Sequence, residues 1–183
     1  AQRHGLKVRP IDVTQSEWLC TIEEERGTRS VERGNDAPRS TLHDLRSGGK
    51  CLRLGLRYVK GLREEAAWAI VRERARGAFT SIEDLVRRVP ELRHDEVTRL
   101  AEVGALNFIR RAHRRDALWE AARAARPAGP LFGELLPAAA ASPLAAMSAA
   151  ERLSADYGGT GVTVGPHPMA YCRAEMDALG VTR

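Results

Sequence analysis

Val59-Lys60-Gly61-Leu62 and Val103-Gly104-Ala105-Leu106 decide how this chain is read. Each places a glycine between two stretches with helical periodicity, and the glycines stand forty-three residues apart. A glycine there lets the chain reverse in a tight hairpin and start a second helix at once. The segment after Gly61, Arg63 to Arg76, carries Ala66, Ala67, Ile70, Val71 and Arg74 at helical spacing and ends at Gly77. The segment before Gly104 is predicted as a helix over Glu96–Val103. Asp95 is its expected N-cap, and Val97, Leu100, Ala101 and Val103 face inward. Between them, Thr80-Ser81-Ile82-Glu83 has the spacing of a capping box, opening a short helix that reaches Val89 and stops at Pro90. A further amphipathic helix is expected over Arg111–Ala125, burying Ala112, Leu118, Trp119 and Ala122.

Working outward, residues 1–24 read as extended, with Cys20-Thr21-Ile22 prone to β structure. Residues 25–50 form a polar connection, so Thr21-Ile22-Glu23 and Cys51-Leu52-Arg53-Leu54 are placed to pair as an antiparallel ribbon. Glu23-Glu24-Glu25 reads as a solvated loop edge. Pro127, Pro130, Pro137 and Pro143 break an Ala-rich stretch into a linker. Ser148 and Glu151 form a second capping box for a helix to Tyr157, ended by Gly158-Gly159, and a last helix runs from Met169 to Leu179 before Gly180. The fold class is therefore mainly α with a small extended or β portion at the N-terminus. Its expected parts are residues 1–50, a hairpin module over 51–125, the linker 126–147 and a helical connection over 148–183.

Charge is distributed by position. Residues 1–49 net to zero, residues 50–124 carry +6 and residues 125–183 carry −1, so the basic excess of the +5 chain sits in the middle third. A polyanion finds its attraction there. The first amides of a helix have no partner within it and lie at the positive end of its dipole, so a glycine hairpin leading into a helix can cradle a phosphate oxygen. Lys60, Gly61 and Arg63 surround the first hairpin; Gly104 centres the second, and Arg110, Arg111, Arg114 and Arg115 follow it. Contacts of this kind position a protein on nucleic acid without reading its sequence.

Other chemistry is weakly represented. Cys20, Cys51 and Cys172 are too far apart for a zinc site or a disulfide framework and fit a reducing, cytoplasmic setting. No apolar run approaches the length of a membrane span. Gly159-Thr160-Gly161 lacks the Gly-Lys-Ser/Thr of a phosphate loop, and His167, flanked by prolines, is assigned a structural role. Catalysis and a metal or cofactor site are not expected in this segment.

Five stretches in order carry a resemblance. They are Arg3 to Trp18, Leu52-Arg53-Leu54-Gly55-Leu56-Arg57-Tyr58-Val59-Lys60-Gly61-Leu62, Phe79 to Leu85, Leu100 to Leu106, and Met147 to Met169 with Gly165-Pro166-His167-Pro168. Together they resemble the bacterial DNA polymerase III α subunits (the family C polymerases), most closely the error-prone, translesion paralogue. The resemblance implies the end of the fingers region, a tandem helix-hairpin-helix module and the approach to an OB-fold. It also implies that Lys60, Gly61 and Gly104 meet the phosphates of template-primer duplex. The polymerase carboxylates and their magnesium would belong to a palm domain elsewhere in the parent, so the chain is expected to be a piece of a longer enzyme and not catalytic alone. Three departures stand out: the second glycine of a GxG hairpin is Arg63 in one motif and Leu106 in the other, residues 25–50 are longer than the connection the family leads one to expect, and the clamp-binding element is altered. Leu131-Phe132 occupies the place of a sliding-clamp contact, but without the Gln of clamp-binding elements; translesion accessory proteins are the other partners implied. A nuclease or recombination factor with the same hairpins, and a helical interaction scaffold, are the alternative readings.

Overall fold

A computed structural model describes residues 6–24, 50–110, 113–124 and 142–180. The strands are β1 (Lys7–Arg9), β2 (Thr21–Glu24) and β3 (Lys50–Arg53). The helices are α1 (Glu64–Arg76), α2 (Ile82–Arg88), α3 (His94–Glu102), α4 (Asn107–Arg110), α5 (Arg114–Ala124), α6 (Ala149–Thr160) and α7 (Pro168–Ala178). The mainly helical architecture with a small N-terminal β portion is as the sequence implies.

The expected ribbon is present, with Thr21 opposite Arg53 and Glu23 opposite Cys51 in antiparallel register. β3 is nevertheless the central strand, because β1 pairs with its other edge in parallel, Val8 opposite Leu52. Glu23 is not a loop residue: it lies in β2, and its carboxylate pairs with the buried Arg53 guanidinium. The hydrogen bonds from Arg53 hold the Glu23 carboxyl below its ordinary value, against the penalty of partial burial. Arg53 also donates to the Gln15 side chain at 2.9 Å, so one buried cation ties the sheet to the loop that follows β1.

One core joins sheet and helices. Leu56, Ile70, Leu85, Val97, Leu100 and Leu106 are all fully buried. The loop after β1 is bound to the helical module through Arg74, which donates to the carbonyls of Val13 (3.1 Å) and Ser16 (2.8 Å) and pairs with Glu17. In return, the Glu17 and Trp18 carbonyls accept from the amides of Leu56 and Arg57, in the 3-10 turn Leu56–Tyr58 that enters the first hairpin.

Four local details differ from the sequence reading. The α2 cap is Ser81, which accepts from the Asp84 amide at 3.0 Å, while the Asp84 carboxylate accepts from the Thr80 amide. Moving the cap by one residue buries Asp84, whose carboxylate pairs with Arg87 and Arg88, and leaves Glu83 exposed. α3 starts at His94 behind Arg93, not at Glu96 behind Asp95, because the Glu96 carboxylate reaches back to the Arg93 amide. The chain beyond Gly104 forms short α4 and then α5 from Arg114, and α5 buries Ala117 and Ala121. Leu118 and Trp119 sit only half-buried and Ala122 is exposed, because the small alanine face packs against the core. Finally, α6 runs through Gly158 and Gly159 to Thr160, held by tertiary contacts at Gly159 that outweigh the poor helix propensity of glycine. Its Ser148–Glu151 capping box is present, and α7 is capped by His167, whose Nδ1 accepts from the Met169 amide at 3.2 Å.

Candidate nucleic-acid interface

Both predicted hairpins exist, and both glycines adopt the left-handed conformation that side chains resist: φ is 84° at Gly61 and 79° at Gly104. Their surroundings are not alike. Gly61 is exposed, and a Cβ added there would meet nothing within 4 Å. Gly104 is buried, and a Cβ there would lie 2.6 Å from Arg114 Nε. An anion can approach the backbone of the first hairpin; at the second, Arg114 fills the approach.

The basic residues fall into three groups. Arg63 is committed within the fold. Its Nε and Nη2 each bond a Glu96 oxygen at 3.0 Å, its amide donates to Glu96 at 2.9 Å, and Nη2 also donates to the Glu91 carbonyl. Glu96 is almost wholly buried, 1% exposed, so this pair locks the start of α1 to the start of α3. Burial alone would raise the Glu96 carboxyl; the Arg63 guanidinium and the Arg93 and Arg63 amides outweigh it and hold the group below its ordinary value.

A second group is held by α6. Lys60 donates its amide to the Gly159 carbonyl at 2.8 Å and its ammonium to the Tyr157 carbonyl at 3.1 Å. Arg114 pairs with Asp156 at 2.7 Å, and Arg115 with Glu151 at 2.6 Å. Arg110, at the end of α4, lies 3.9 Å from Glu120 and stays half-exposed. Arg111, Leu131 and Phe132 lie outside the described residues.

The third group was missed. Arg57 and Arg93 are exposed and make no ion pair with any described residue. Arg57 sits on the turn leading into the first hairpin, and the Arg63–Glu91 bond brings the 91–93 turn against the start of α1. Exposed Arg57, Lys60 and Arg93 thus flank the open Gly61 loop, with the exposed carboxylates Glu64 and Glu65 on the first turn of α1 as the opposing charge. Position in sequence gives Arg57 away, three residues before Lys60; Arg93 is visible only once the turns are packed.

Among the described residues no group of three or more His, Cys, Asp or Glu is arranged to hold a metal ion. No helix among them is long and apolar enough to cross a membrane.

Two glycine-centred turns joining short helices define a helix-hairpin-helix class of module. The helix-hairpin-helix motif model matches residues 5–117, and the chain belongs to that family. The relatives specify further. The chain is 39% identical to an error-prone DNA polymerase of Azoarcus sp. (strain BH72), over 96% of this chain and 15% of that protein. It is 37% identical to an error-prone DNA polymerase of Methylococcus capsulatus, over 98% of the chain and 17% of the relative. The same name belongs to a relative from Aromatoleum aromaticum, 39% identical over 98% of the chain and 15% of the relative. The chain thus spans about a sixth of the length of the curated relatives it matches.

Proposed function

We infer that this chain grips the sugar-phosphate backbone of duplex DNA, without reading its sequence, as a segment of an error-prone DNA polymerase. One observation carries the reading: Gly61 turns the chain in a left-handed hairpin that is exposed, unobstructed and flanked by Arg57, Lys60 and Arg93. The Gly61 amide supplies a hydrogen-bond donor at close range and Arg57 and Arg93 supply positive charge, the two things a phosphate requires, whereas the Lys60, Leu62 and Arg63 amides are bonded within the fold. The relatives' printed name supports the polymerase over a nuclease, a recombination factor or an interaction scaffold.

In that setting the duplex is template-primer, and the parent enzyme acts in replication and damage-induced translesion synthesis in the cytoplasm, its magnesium carried by palm carboxylates outside this segment. Arg63 positions the hairpin, because its Nε and Nη2 donors are committed to Glu96 and Glu91. Contact of Leu131-Phe132 with a sliding clamp, or of translesion accessory proteins with this segment, belongs to the same reading and lies outside the described residues.

Fluorescence anisotropy with short labelled duplexes of unrelated sequence tests it. Affinity should be alike across sequences and fall steeply as salt rises from about 50 to 200 mM. Arg57→Glu with Arg93→Glu should abolish most of it. Binding indifferent to salt and to this charge reversal would overturn the reading.

A further inference from the structure

α6 touches the hairpins with unusual chemistry. Of its twelve residues only Gly159 is buried. That glycine lies so close to Val103, at the second hairpin, that a Cβ there would collide with Val103 Cγ1. The remaining contacts described above are largely polar, and they run along the helix. Toward its N-terminal end Glu151 holds Arg115, whose other nitrogen donates to the Ala145 carbonyl at 3.0 Å. In the middle Asp156 holds Arg114, which also donates to the Arg152 carbonyl at 3.3 Å. At the C-terminal end the Tyr157 and Gly159 carbonyls hold the ammonium and the amide of Lys60. Carboxylates and helix C-terminal carbonyls, the negative end of the helix dipole, offer a cation what a phosphate oxygen offers.

We propose that α6 is a built-in competitor of the DNA backbone, docked across both hairpins on Lys60, Arg114 and Arg115 and exchanged for phosphates when duplex binds. This rests on the backbone-gripping reading above. Three of the cations that the sequence assigns to DNA are occupied in the free chain, and the element occupying them buries little apolar surface. Exchange therefore replaces one set of charge-assisted hydrogen bonds with another and exposes few nonpolar groups. The docked form leaves Gly61, Arg57 and Arg93 as the first point of contact. Release of α6 adds the second hairpin's arginines and frees Arg114, the side chain that fills the approach to Gly104.

The full chain is tested with labelled duplex in two ways. In the first, Glu151→Gln with Asp156→Asn weakens the clasp at nearly constant shape. Glu83→Gln with Asp177→Asn, both exposed and away from the hairpins, removes the same charge as a control. The clasp predicts that the first pair tightens binding about threefold or more beyond the control and steepens the log affinity–log salt slope by up to about two. In the second, hydrogen exchange of the unmodified chain should show the α6 amides exchanging faster when duplex is saturating. An affinity equal to the control's, together with α6 exchange unchanged or slowed by duplex, overturns the clasp while leaving backbone gripping intact. Absence of binding by every form at low salt overturns both.

Discussion

Replacing Glu96 with alanine strikes the one side chain that fastens the two hairpin motifs together. Its carboxylate accepts four N–H groups: the Arg63 amide at 2.9 Å, Arg63 Nε and Nη2 at 3.0 Å each, and the Arg93 amide at 2.8 Å. The two amides stand at the starts of α1 and α3, where no intrahelical partner replaces them, and each loss costs about 1 kcal/mol. Removing one partner of a buried pair costs about 3–5 kcal/mol when the other cannot reach water. Arg63 is a third exposed and can rehydrate, so that cost falls to roughly 1–2 kcal/mol. The total is about 3 kcal/mol, a large share of the stability of a small domain. Glu96→Gln keeps an acceptor and the shape but not the charge, and should lie between. Urea unfolding followed by circular dichroism measures the order, wild type above Glu96→Gln above Glu96→Ala, with the slope m unchanged. Glu96→Ala within about 0.5 kcal/mol of wild type would refute the locking argument.

Other consequences are open to equally direct measurement. Ser81→Ala should cost about 1 kcal/mol through loss of the α2 cap, whereas Thr80→Ala should be nearly silent in the same melts; equal losses would restore Thr80 as the cap. Gly104→Ala should destabilise more than Gly61→Ala. Both incur the left-handed penalty of about 1–2 kcal/mol, but only at Gly104 must Arg114 also be displaced. Stability should fall in acid with a defined sign. The Glu23, Asp84, Glu91, Glu96 and Glu151 carboxyls are all held below their ordinary values, so their contribution is complete above the usual Glu value of 4.5 and is lost as pH falls below it through the folded-state values. A urea midpoint that stays flat from about pH 5 to pH 3 would contradict this.

Much of the fold is legible in the sequence because its signals are local. Gly77, Gly104 and Gly180 mark helix ends within a few residues of where they fall, and Ser148–Glu151 caps α6 as its spacing requires. The β2–β3 pairing follows from two β-prone runs flanking a polar connection. What the sequence concealed depends on contacts far apart along the chain. The three-residue β1 becomes a strand only because β3 offers it an edge, forty-four residues on. The inward face of α5 is set by Ala117 and Ala121 against its neighbours, whereas hydrophobicity points to Leu118 and Trp119. The interface was hidden in the same way. Eight residues stand out in the sequence as basic or hairpin positions, but a charge does not reveal its partner. Lys60 meets Tyr157 ninety-seven residues away, and Arg115 meets Glu151 thirty-six away. Arg57 and Arg93 became candidates because their side chains are exposed and make no ion pair with any described residue.

The central claim is that the open Gly61 hairpin holds DNA by its phosphates. The slope of log affinity against log salt for duplexes of unrelated sequence tests it most directly. Two to four phosphate contacts predict a slope of about −2 to −4, the same for each sequence, reduced by about one unit in Arg57→Glu alone. A slope near zero, or one duplex sequence preferred strongly over the others, would contradict it.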